Sequence, residues 1–348
     1  MSQRVGPVAL TTAAVILSLV VAEITLRQLG YAPRVIAVDE IFGVGGARAQ
    51  PDEVLGWRIR EGSFRSLEPG HALMTFGKDG RRMDPAPSKP EDTPKVLVVG
   101  CSFTQGEGIP DNEPYPHVIG RELKNLDIIN FGTGAYGTYQ SLLRMRLYFA
   151  APQKAETPLV IYGLQGHHMM RNVASSEWIS SLTTSDGRWL VPPHVRISGD
   201  QIIEYKGHPI ESWPFETRFA TVALAHVAAL KVLNRRSWQE HQDALRRLLT
   251  QMKDTAAKNK ASLLVVNLFR TPPDDIRWMR QEGFDYVDCE HPDVLNVALR
   301  VGGTGHPNGV MHQWWGQCLL SALRARGYES SQYVRSSAES VSKTEENQ

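Results

Sequence analysis

The sequence predicts an α/β domain built on a parallel sheet, behind an apolar N-terminal helix. Two observations set this class. From Lys95 onward, short apolar runs of strand length alternate with stretches of helix length. That order builds a parallel sheet covered by crossover helices. At the other end, Val5–Ala22 runs 18 residues without a charge, long enough to cross a bilayer. A chain of 348 residues holds one large or two ordinary domains. Its formal net charge of +1 gives no signal for a nucleic-acid partner.

Residues 1–28 read as a single-pass membrane anchor. Arg4 precedes the apolar run and Glu23 and Arg27 follow it, which favours a cytoplasmic N-terminus. A cleaved signal peptide fits less well, because Val20-Val21-Ala22-Glu23 is a poor small-residue cleavage site. The remainder of the chain then lies outside the cytoplasm, in the periplasm if the source is bacterial. Residues 29–92 read as an irregular, partly β pre-domain. Leu55–Arg60 alternates like a strand, Lys78–Arg81 is a turn, and Pro85, Pro87, Pro90 and Pro94 mark a linker.

The main domain spans 93–328. Strands are expected at 95–99, 127–131, 159–163, 262–268 and 286–288, with Leu263–Val266 buried on both faces. Helices are expected from about 114 to 124, 138 to 149, 219 to 233, 239 to 257 and 313 to 326. Residues 173–260 form an insertion too long for a bare loop. Its segment 176–216, with Trp178, Trp189 and Trp213, reads as a lid over the site, and its apolar helix 219–233 as a core helix, with a place on the membrane surface as the alternative. Residues 329–348, rich in Ser and Glu, read as a disordered tail. Cys289 and Cys318 read as two buried thiols, with a bridge in an oxidising compartment as the alternative.

The chemistry concentrates at two places. Lys95–Val99 runs into Gly100-Cys101-Ser102-Phe103-Thr104, which sets a hydroxyl in a tight turn at the carboxyl end of a strand. Late in the chain, Gly305-His306-Pro307-Asn308 offers an imidazole in a loop. Ser102 and His306 are thus a candidate nucleophile and its base. The adjacent His167 and His168 invite a metal reading. Neighbouring positions rarely hold one ion, and no acidic or Cys partner stands at ligand spacing, so neither a metal nor another cofactor is called for.

These motifs resemble the SGNH (GDSL-like) hydrolase superfamily over roughly residues 93–327, and the N-terminal segment is similar to its membrane-anchored, extracytoplasmic branch. The resemblance implies a flavodoxin-like three-layer α/β/α sandwich and an esterase, or an O-acyltransferase, acting on an acyl ester. An O-acyl group on an envelope glycan is the substrate implied. Gly100-Cys101-Ser102 stands where the family has Gly-Asp-Ser, with Ser102 as nucleophile. Asn130–Gly137 resembles the second family block, which implies the Ala135 N–H as an oxyanion donor. In the third block, His167 takes the place of the usual Asn, with the Gln165 amide as the alternative, and Arg171 is a substrate contact or a carboxylate partner. The fourth block keeps His306-Pro307-Asn308 but has Gly303 where the family carries the triad acid. Three outcomes stay open. The site works as a Ser–His dyad, or Asp288, Glu290 or Asp293 substitutes, or the fold has become a non-catalytic binding or assembly protein of the cell envelope.

Overall fold

The computed structural model describes residues 6–34, 48–182, 188–303 and 305–328. The expected tail 329–348 lies outside them. The chain opens with α1 (Pro7–Gln28), whose stretch Val8–Gln28 is long and apolar enough to cross a membrane, its apolar part left outside the protein core. Two small antiparallel hairpins follow. In one, β1 (Ala49–Asp52) pairs with β2 (Gly56–Ile59); in the other, β3 (Gly62–Arg65) pairs with β4 (Leu73–Phe76). Trp57 and Ile59 of β2 alternate inward, as the sequence pattern predicts.

The main domain continues through β5 (Lys95–Gly100), α2 (Ser102–Gln105), α3 (Tyr115–Glu122), β6 (Asp127–Asn130), α4 (Thr138–Ala150), β7 (Leu159–Gln165), α5 (His168–Asn172) and α6 (Ser176–Ile179). The insertion adds the short strands β8 (Trp189–Val191), β9 (His194–Ser198), β10 (Gln201–Tyr205) and β11 (His208–Ile210), then α7 (Ala220–Leu233) and α8 (Trp238–Lys258). The chain closes with β12 (Ser262–Phe269), α9 (Pro273–Gln281), β13 (Asp285–Asp288) and α10 (Gly309–Ala325). The five main strands form one parallel sheet in the order β13-β12-β7-β5-β6. Numbered by their appearance in the domain, that is the flavodoxin-like order 2-1-3-4-5.

Strand alternation divides the core into two layers. Leu97, Val99, Val160, Tyr162 and Val265 face α4 and α8, with Leu245, Leu248, Leu249 and Met252 of α8 packed over them. Val96, Val98, Ile161, Leu264 and Val266 face α3 and α10, closed by Trp315, Leu319 and Leu323. The α/β/α sandwich is therefore a direct consequence of the period-2 strands and period-3.6 helices.

The structure corrects several expectations. The segment expected as a lid forms two antiparallel strand pairs, β8 with β11 and, between them in sequence, the hairpin of β9 with β10. Its β9 strand packs Val195 into the core layer of α4 and α8. The helix α9 was not foreseen, although Pro273 at its first turn and Asp274 and Asp275 behind it are start signals. Helix α10 starts four residues early because the Asn308 side chain accepts from the Val310 and Met311 N–H groups. Cys289 and Cys318 are joined by a disulfide. The apolar helix α7 buries only the face carrying Ala220, Ala223, His226 and Leu230.

Candidate active site

Ser102 opens α2, directly after the turn that ends β5. The turn is tight because neither Gly100 within it nor Gly132, packed against it from the loop after β6, has room for a side chain. A Cβ at Gly100 would lie 2.2 Å from Thr104 Oγ1, and one at Gly132 would lie 2.3 Å from the Gln105 N. Arg82, buried beneath the turn, donates to the carbonyls of Gln105, Gly106 and Ile109 and pairs with Asp111 at 2.7 Å. The nucleophile candidate is thus held on a rigid element.

His306 is brought to it by the loop before α10. Its Nε2 lies 3.0 Å from Ser102 Oγ, and its Nδ1 lies 2.7 Å from Glu68 Oε1. The carboxylate only accepts, so the imidazole carries its proton on Nδ1 and leaves Nε2 free to accept the Ser102 hydroxyl proton. The His306 hydrogen bond, partly opposed by desolvation, holds the Glu68 carboxyl below its ordinary value of 4.5. Ser, His and an acid therefore stand in the order and spacing of a hydrolytic triad.

The acid comes from an unexpected place. Glu68 sits in the loop joining β3 to β4, in the segment read as pre-domain. None of the three expected substitutes touches His306. Asp288 and Glu290 both accept from Asn267 Nδ2, and Glu290 also accepts from the Arg270 N–H. Asp293 is exposed on the loop behind them. Gly303 adopts φ +79°, and a Cβ there would meet nothing within 4 Å.

Three glycines make room for the Glu68 loop. A Cβ at Gly305 would fall 1.8 Å from Glu68 Oε2, and one at Gly302 would fall 2.4 Å from Pro69 Cγ. At Gly108 it would stand 3.0 Å from Glu68 Cγ. Beneath the loop, the Glu68 N–H donates to Ser66 Oγ, whose hydroxyl donates to Glu107 Oε1. Arg48 pairs with the same Glu107 carboxylate at 2.6 Å in a buried setting. In sequence, Glu68 is marked only as a turn residue before Pro69-Gly70, which announces a hairpin and not a catalytic acid.

Ser102 and His306 face a cavity of 310 Å³, lined also by Glu68, Phe103, Gln165, His167, Arg171, Phe269, Arg300 and Gly305. No described residue of 176–216 lines it. Gln165 ends β7, with its Nε2 2.8 Å from the buried Cys101 thiol and its Oε1 without a partner among the described residues. His167 stands at the rim. Desolvation, with Arg171 and Arg270 nearby, pushes its titration below the ordinary imidazole value. His168 turns the other way into the core, its Nδ1 2.6 Å from Tyr162 Oη. The two histidines diverge, and among the described residues no group of three His, Cys, Asp or Glu could hold a metal ion.

Arg171 has no carboxylate partner among the described residues. It donates to the Tyr136 carbonyl at 3.0 Å and lies 4.5 Å over the Trp178 ring. Arg300 is a second guanidinium at the cavity that the sequence did not single out; it holds the Val294 carbonyl and lies over Phe269. Ala135 does not line the cavity. Its backbone nonetheless adopts φ +69°, a left-handed conformation that costs a side-chain-bearing residue about 1–2 kcal/mol. The position therefore carries strain that Gly would relieve. Among the described residues, neither the Ser102 N–H nor the Ala135 N–H donates to a backbone acceptor.

No protein-family profile matches the chain, and no curated protein does. Among solved structures, a protein of the G-D-S-L lipolytic family from Desulfitobacterium hafniense DCB-2 is similar at 11% identity and a TM-score of 0.37, covering 65% of this chain and 98% of its own. A G-D-S-L family lipolytic protein from Veillonella parvula DSM 2008 is similar at 9% identity and a TM-score of 0.36, with 65% and 96% covered. The alpha/beta hydrolase LAE5 from the metagenome of Lake Arreo, Spain, is similar at 13% identity and a TM-score of 0.38, with 68% and 97% covered.

Proposed function

We propose that the chain is an SGNH-type serine hydrolase or O-acyltransferase that acts on an acyl ester outside the cytoplasm, held to the membrane by α1. The observation that carries this reading is the continuous hydrogen-bonded line Ser102–His306–Glu68 at the mouth of a cavity. Ser102 Oγ attacks the acyl carbonyl while its proton passes to His306 Nε2. The Ser102 and Ala135 N–H groups, with the Gln165 amide or the His167 ring, are the candidate donors to the developing oxyanion. Collapse expels the alcohol, which takes the proton back from His306. Water, or the hydroxyl of an acceptor, then releases the acyl group from Ser102 by the same route. Glu68 accepts from Nδ1 throughout and stabilises the imidazolium.

The Cys289–Cys318 disulfide supports an oxidising compartment for the domain. Arg171 and Arg300 at the cavity favour a substrate with negative charge near its ester, and an O-acyl ester on an acidic envelope glycan has that character. The non-catalytic binding reading rests on the missing acid at position 303 together with the missing amide at position 167; Glu68 beside His306 supports an acid from elsewhere and so weakens the first of these grounds.

The test is fluorophosphonate labelling of the full chain beside Ser102→Ala and His306→Ala. Labelling of the wild type, lost in both variants while their circular dichroism is unchanged, is the expected result. A folded wild type that resists labelling and hydrolyses no aryl ester would refute the enzymatic reading.

A further inference from the structure

We infer that α7 and the segment before it form a membrane-surface patch that lies in the lipid headgroup region. The inference rests on the membrane anchor proposed above. Its starting point is the join between the anchor and the insertion. At the end of α1, the Glu23 carboxylate accepts from the Ala220 N–H, the Thr221 N–H and Thr221 Oγ1, each at 2.9 Å, and so caps the first turn of α7. Arg27 pairs with Glu23 at 2.7 Å and donates to the Arg218 carbonyl. Just beyond, Arg34 pairs with Glu216 at 2.8 Å, and Glu216 also holds His226 of α7. The start of α7 is thereby tied to the level at which the anchor leaves the apolar layer.

The surface of α7 matches that position. Its inner face packs on Ile179, Trp189 and Val191. Its outer side is apolar and open, with Val232 76% and Leu233 71% exposed, and the preceding and following segments add Phe215 at 60% and Trp238 at 59%. Lone exposed apolar residues are ordinary, but several along one short helix beside a membrane span are not. Arg218, Lys231 and Arg235 stand exposed among them. Apolar and aromatic side chains bordered by basic ones are the composition of an interfacial helix on anionic lipid. Helix α7 spans 14 residues, about 21 Å, too short to cross a bilayer. Lying on the surface is the arrangement left to it.

The experiment places nitroxide labels on the full chain in vesicles of phosphatidylethanolamine and phosphatidylglycerol. Val232→Cys and Leu224→Cys report on α7, Val15→Cys on the anchor, and Thr250→Cys on the exposed side of α8. Collisions with oxygen and with a water-soluble nickel chelate are compared. The expected result is an oxygen-to-nickel ratio at 224 and 232 several-fold above that at 250, with residue 15 higher still. A lipid-like residue 15 with water-like 224 and 232 overturns the inference and leaves the anchor standing. Water-like values at all sites overturn both. Spin–spin broadening at 232, with shielding from both reagents, overturns it in favour of a second copy covering the face.

Discussion

Glu68→Gln is the substitution that separates a triad from a dyad. Gln keeps the volume and can still meet His306 Nδ1, at 2.7 Å in the native protein, but it removes the charge. When Ser102 gives up its proton, the imidazolium gains an attraction to Glu68 that the ground state lacks. At a charge separation of ~4 Å and an effective dielectric near 20, that attraction is worth about 4 kcal/mol. This corresponds to roughly 10³-fold in rate. Glu68 is partly reached by solvent, so screening lowers the figure, and a loss of about 10²- to 10³-fold in kcat/KM is expected. Serine-protease triads, where the wrong tautomer also enters, lose roughly 10⁴. The assay is aryl-ester hydrolysis together with the rate of fluorophosphonate labelling. Stability gives an independent readout. The folded carboxyl titrates below 4.5, so the unfolded chain takes up the proton first. The contribution is complete above that pH and fades as pH falls through the folded value, and the Gln variant lacks this acid-sensitive component. A Glu68→Gln protein with wild-type kcat/KM would refute the assignment of Glu68 as the acid.

Three further outcomes follow from the same geometry. Gly305→Ala puts a Cβ at 1.8 Å from Glu68 Oε2, so it should lose activity about as far as Glu68→Gln while the aryl-ester KM changes little; full activity would contradict the packing argument. Gly303→Asp should not rescue Glu68→Gln, because position 303 holds a left-handed backbone and its Cβ direction meets nothing within 4 Å; recovery of labelling in the double variant would count against this. Reducing Cys289–Cys318, which are 29 residues apart, should remove about 3–4 kcal/mol by loop entropy, a fall in Tm of roughly 5–10 °C, read by calorimetry with and without reductant.

The sheet was legible because its signals are local. The runs at Lys95, Asp127, Leu159, Ser262 and Asp285 are apolar over strand length, and each is separated from the next by at least one helix. Ser102 and His306 were legible because each sits in a short motif tied to a strand end or a helix start. What failed were relations between distant segments. Cys289 and Cys318 carry no spacing that distinguishes a bridge from two thiols. The tryptophans of 176–216 suggest a cover over the site, yet none of them lines the cavity: Trp178 lies in α6, Trp189 in β8 and Trp213 between β11 and α7. The acid failed for the same reason. Nothing within ten residues of Glu68 reveals that His306 lies against it, and the three candidates near position 290 were simply closer in sequence.

That displacement changes what counts as the catalytic unit. An acid three residues before the His would arrive with the His loop and depend on nothing else. Glu68 arrives on a hairpin, and it reaches His306 only if that hairpin docks against Gly108, Gly302 and Gly305. The docking is reinforced from below by the buried Arg48–Glu107 pair and by Ser66. A buried pair of this kind adds little net stability but is costly to break on one side, so it suits positioning better than strengthening. Residues 48–76 are then part of the site, since the orientation of His306 is decided there. Separating the pre-domain from the α/β domain would remove both Arg82, which holds the turn carrying Ser102, and Glu68, the group that sets the imidazole's tautomer.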